Sequence, residues 1–140
     1  MTTQPSPAKK IARVGILIAL CVVGALIKIP SPTGSVALDA APAFLAAFAF
    51  TLPEAALVAV LGHLVSAATA GFPLSLPVHA IIAITMAVAV AGVGWAARRA
   101  GVWVGVVVGI ALNGVLAPHG TTLDAYRRAH ASLLDLIDRL

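Results

Sequence analysis

From Ala55 to Ala97 the chain carries no Asp, Glu, Lys or Arg, and from Ala100 to Leu123 it again carries none. Uncharged stretches of this length restrict the fold more than any other feature. Uncharged apolar runs of this length suit a lipid surround. Charged residues make up 10% of the sequence, against about 25% in an ordinary soluble domain, so the chain reads as an integral membrane protein. The runs lack the alternation of outer-membrane strands. They are also rich in Ala and Gly, which let helices approach closely in lipid. The expected fold is an all-α membrane bundle of about five transmembrane helices with a C-terminal amphipathic helix.

Punctuation along the chain sets the boundaries. Residues 1–10 form a polar start, and with no small-residue cleavage site the first apolar run is expected to be retained. Span one runs from Ile11 to Ile29 and is ended by Pro30 and Pro32. Span two, Leu38 to Leu52, is short for a bilayer of roughly 30 Å. Pro53 and Glu54 suit a helix start. Span three covers Ala55 to Ala70, span four Val78 to Ala97 and span five Val102 to Ala117. The membrane domain is thus residues 11–118, followed by a polar tail over residues 119–140. In that tail Leu123, Tyr126, His130, Leu133, Ile137 and Leu140 recur at helical spacing between charges, as on a surface helix.

The cations give the orientation. With a cytoplasmic amino terminus, Lys9, Lys10, Arg13, Arg98 and Arg99 all face the cytoplasm, as the positive-inside pattern requires. Such flanking charges are a topology signal and do not point to nucleic acid. Lys28 is the exception. It opens the polar stretch Lys28–Asp39, which faces outward together with the loop Gly71–Pro77. Two irregular loops on one face make a plausible ligand mouth.

Several residues could carry chemistry there. Lys28 and Asp39 can pair with each other or hold opposite ends of a polar ligand. Ser31, Thr33 and Ser35 offer hydroxyls, for a ligand or for turns. His63 is the ionisable group inside span three, where a buried imidazole needs a partner. His79 opens span four, and Phe72 can stack on a planar ligand or anchor at the interface. Asn113 suits a helix–helix hydrogen bond. Gly15, Ala19 and Val23 form a small-residue stripe on span one, suited to close helix contact. Cys21 reads as a small apolar core residue, so no disulfide or metal framework is expected. No phosphate-binding glycine loop, nucleophile elbow or metal-ligand spacing is present in the sequence. Catalytic residues and a metal site are therefore not expected.

The run ALIKIPSPTGSVALDAAPAF, followed by GHLVSAATAGFPLSLPVH, resembles the substrate-binding S components of energy-coupling factor (ECF) vitamin transporters. Within that group it is most similar to proteins assigned to α-ribazole, a cobalamin precursor. The resemblance covers roughly Ile11 to Pro118. It implies a multi-pass protein of a bacterial plasma membrane that captures a vitamin-like molecule from outside without a cofactor of its own. The partners it implies are a transmembrane T component and two ATPase subunits. It also implies docking through Gly15, Ala19 and Val23, and substrate contacts from Lys28, Ser31, Thr33, Asp39, His63, Phe72 and His79. The family has six spans with both ends inside. This chain turns polar after Pro118, as a truncation or a shifted reading frame would leave it. Two alternatives stand beside this reading: a small structural or assembly membrane protein without ligand, and an intramembrane enzyme using His63.

Overall fold

A computed structural model describes residues 5–31, 34–72 and 75–116, together with Asp135 and Arg139. Helix α1 (Pro7–Leu26) starts earlier than the hydropathy suggests. Pro7 occupies the first turn, where its missing N–H costs nothing, and the Ser6 hydroxyl accepts from the Lys9 N–H. The polar stretch that follows is more ordered than an irregular loop. Strands β1 (Lys28–Ser31) and β2 (Gly34–Ala37) pair antiparallel, with Lys28 opposite Ala37 and Ser31 opposite Gly34. Pro30 can sit in such a two-stranded ribbon, because an edge strand leaves one side without ladder bonds. Beyond the ribbon the Leu38 N–H donates to the Ile27 carbonyl at 3.3 Å. A 3-10 turn over Leu38–Ala40 then leads into α2 (Ala41–Ala49).

The expected second span is the main correction to the five-span reading. Helix α2 has 9 residues, a rise of about 14 Å. That is under half of a bilayer core, because the polar turn takes the front of the segment and Phe50 breaks its end. Helices α3 (Leu52–Thr69) and α4 (Leu76–Ala100) are long and apolar enough to cross a membrane. Helix α1 carries Lys9, Lys10 and Arg13 in its first half, and α5 (Val102–Leu116) is shorter. The expected amphipathic tail helix lies outside the described residues, apart from an ion pair of Arg139 with Asp135 at 3.0 Å, one turn apart.

Helix α3 packs between α1 and α4, while α5 packs on α4. The core is built of small side chains: Ala43, Ala46, Ala47, Ala55 and Ala59 are essentially sealed, and Val58, Val90 and Val93 are the bulkiest aliphatic groups fully inside. Larger apolar residues point outward; Ile11, Leu26, Trp103 and Ile110 are all at least 69% exposed. This inversion suits lipid, where large side chains gain nothing by leaving hydrocarbon and small ones let backbones close up.

The two ends of the bundle differ in chemistry. At one, Arg13 of α1 reaches Glu54 of α3, its Nη2 lying 2.6 Å from both carboxylate oxygens. The same guanidinium lies 4.3 Å from the centre of the Phe50 ring. Glu54 also accepts from the Thr51 N–H at 3.1 Å and the Thr51 hydroxyl at 2.8 Å, which caps α3. From α4, Arg98 donates to the Phe50 carbonyl at the break after α2. Arg13 is therefore an ion-pair partner, where span one alone suggests only a cation reaching for the interface. The opposite end collects the polar turn, the end of α3 and the start of α4.

Candidate functional site

Three local devices build the second end. The first is a close approach: a Cβ on Gly24 would come within 2.5 Å of the Leu38 carbonyl oxygen and 3.2 Å of the Asp39 nitrogen. Only a glycine lets the 3-10 turn lie directly on α1, and that contact sets Asp39. The second is the crossing of α1 and α3, where Cys21 fills the space beside Gly62; a Cβ there would stand 2.6 Å from its sulfur. This crossing positions the next residue, His63. The third is the end of α3. Gly71 takes φ +74°, its N–H donates to the Ala68 carbonyl at 3.1 Å, and the Phe72 N–H donates to the Ala67 carbonyl at 2.9 Å. These two bonds make a Schellman cap. Phe72 itself is held at φ +49°, an uncommon conformation for a bulky residue.

These devices bring together Asp39, His63, Phe72 and His79, spread over positions 39 to 79. Asp39 Oδ2 lies 3.4 Å from His63 Nδ1, and His63 Nε2 lies 3.2 Å from His79 Nδ1. The two imidazole rings are 5.3 Å apart between centres. Phe72 meets His79 edge to face, with centres 5.6 Å apart. Asp39 and His63 are mostly covered and His79 is buried.

Hydrogen-bond chemistry orders this chain. A carboxylate only accepts, so in this contact His63 Nδ1 carries the proton. The direction of the His63 Nε2–His79 Nδ1 contact follows from the tautomers of the two rings. The carboxylate contact is long beside the usual charge-assisted range of about 2.7–2.9 Å. The set therefore has room to tighten around a bound molecule. It offers one anionic group, two imidazoles and an aromatic edge, a combination suited to a planar, hydrogen-bonding solute.

The remaining candidates divide. Lys28 and Ser31 sit at the two ends of β1, in the polar stretch that leads to Asp39. Thr33 lies outside the described residues. Gly15, Ala19 and Val23 lie on the exposed face of α1, and a Cβ on Gly15 would touch nothing within 4 Å. Asn113 lines a groove of about 450 Å³ between α2, α4 and α5, with Phe44, Phe48 and Val93. None of the seven expected substrate residues is among those lining this groove. The Arg13–Glu54 pair was not visible from the sequence. Its only local signal was the Thr51–Glu54 spacing of a capping box.

The chain is thus a bundle of closely packed small-residue helices with bulky apolar side chains outside and a polar cluster at one end. The family model described as ECF transporter, substrate-specific component, matches residues 9–129. The chain belongs to this family of membrane proteins and is, at that level, a substrate-binding subunit of an ECF transporter rather than an enzyme. Such subunits work with a T component and ATPases. The match runs beyond Pro118 into the segment that looked polar and foreign to the spans. No curated protein and no solved structure matches the chain.

Proposed function

We propose that this chain captures a vitamin-type solute at the outer face of a bacterial plasma membrane, and that the solute is α-ribazole or a related cobalamin precursor. The observation that carries the reading is the convergence of Asp39, His63, His79 and Phe72 from three separate elements. A carboxylate and two imidazoles inside a membrane bundle are costly unless they serve a purpose. An aromatic edge beside hydrogen-bonding groups suits a benzimidazole carrying a sugar. Lys28, Ser31 and Thr33 would add further contacts to the solute. Docking on the T component would use Gly15, Ala19 and Val23, whose small side chains leave α1 open to another helix. ATP hydrolysis by the partner subunits would then drive release inside.

The test is direct. Purified protein should bind α-ribazole in a calorimetric titration, and His63→Ala or Phe72→Ala should weaken binding about tenfold or more, the scale of one lost buried polar or aromatic contact. If native protein neither binds this solute nor co-purifies with a T component, the proposal is wrong.

A further inference from the structure

Among the described residues, two buried side-chain polar atoms have no hydrogen-bond partner: Arg13 Nε, at the ion-pair end, and Ser66 Oγ. Ser66 is 5% exposed. An orphaned hydroxyl in a dry environment is destabilising, so its presence calls for a reason. The usual remedy in a membrane helix is donation to the carbonyl four residues back, here Gly62, and Ser66 does not make that bond.

Its location suggests why. Helices α1 and α3 both start from the Arg13 end. Cys21 meets Gly62; about one turn further along, Gly24 meets Leu38 and Asp39, and Ser66 stands one turn past Gly62. Ser66 therefore lies level with the turn that carries Asp39 and one turn from His63. Neighbouring polar groups are engaged. Both His63 nitrogens have partners, and the Thr69 hydroxyl donates to the Ser66 carbonyl at 2.7 Å.

We propose that the Ser66 hydroxyl is a ligand contact at the floor of this site, taking a hydroxyl group of the captured solute. The proposal rests on the riboside reading given above and adds the residue that reads the sugar. Ser66 loses its water on folding, so a bond to the ligand is not offset by desolvation at that moment. It therefore adds more to affinity than an exposed serine would.

The experiment compares wild type with Ser66→Ala, each as the purified full chain in detergent. Both are titrated with α-ribazole and with its free benzimidazole base, and their thermal unfolding is recorded. The expected result is a roughly tenfold loss of affinity for the riboside, unchanged affinity for the base, and a melting temperature no lower than wild type, because an orphaned group has been removed. Stability held while sugar recognition is lost is a signature that a purely structural serine would not give. Equal riboside affinity in the two proteins overturns the assignment of Ser66 while leaving the proposed solute intact. A lower melting temperature with parallel losses for both compounds also overturns it. If wild type binds neither compound, the solute reading fails and the role of Ser66 falls with it.

Discussion

Two glycines on one helix should respond to the same methyl group in opposite ways. At Gly24 the new Cβ would stand 2.5 Å from the Leu38 carbonyl oxygen and 2.8 Å from its carbon. Both are backbone atoms, so no side chain can swing aside and the 3-10 turn itself must lift off α1. Overpacking of this kind costs about 1–3 kcal/mol. Alanine recovers about 0.5–1 kcal/mol of helix preference, which leaves a net loss of about 0.5–2 kcal/mol. The displaced turn carries Asp39, whose contact to His63 is already 3.4 Å, so ligand affinity should drop as well. At Gly15 nothing lies within 4 Å, so Gly15→Ala should gain the helix preference, about 0.5–1 kcal/mol. If α1 docks through this stripe, that variant should also co-purify with less T component. Denaturant titration of the purified variants, with calorimetric titration of α-ribazole, measures both effects. Gly24→Ala matching wild type in stability and affinity would refute the reasoning, and so would Gly15→Ala proving equally damaging.

Three further outcomes are expected. Arg13→Ala should destabilise the protein by about 1–3 kcal/mol, because it leaves a mostly covered Glu54 without its counter-charge and uncovers Phe50; Arg13→Lys should recover only part of this, which thermal unfolding in detergent will read. Asp39→Asn keeps an acceptor for His63 but removes the charge, so its solute affinity should fall less than that of Asp39→Ala, by calorimetry. In whole cells, a membrane-impermeant maleimide should label Phe72→Cys and spare Thr51→Cys, because the two positions stand at opposite ends of the bundle; Cys21, 1% exposed, should give no background. Equal labelling of both would contradict the outward orientation of the Asp39 end.

Much of this arrangement could be read from the chain. The apolar runs predicted helices close to α3, α4 and α5, and Arg13 and Arg98, grouped by the cation pattern, do lie at one end of the bundle. Proline and glycine marked the breaks, since their backbone constraints act locally whatever the tertiary context. Four of the expected site residues do meet. Their actual partners were less legible. Asp39 meets His63, 24 positions away, a contact that charge alone does not suggest along the sequence. Arg13 and Glu54 are 41 apart, and only the packing of α1 on α3 brings them together. The strand pairing of Lys28–Ala37 was hidden because two prolines and a glycine read as irregular chain. The short α2 was hidden because hydropathy alone does not reveal that a polar turn occupies the front of an apolar run.

The ties at the Arg13 end also bear on biosynthesis. Arg13 enters the membrane early with no counter-charge, and its partner Glu54 emerges only 41 residues later. The Phe50 carbonyl, exposed at the break between α2 and α3, waits for Arg98, a further 48 positions along. Helix α1 must therefore stay near the insertion machinery, its cation in water, until α3 arrives. The break stays wet until the end of α4 has been made. This end of the bundle is thus completed in the order of translation, with Arg98 as its closing stitch, so a nascent chain stalled before α4 should hold α1 against α3 but leave α2 loosely seated.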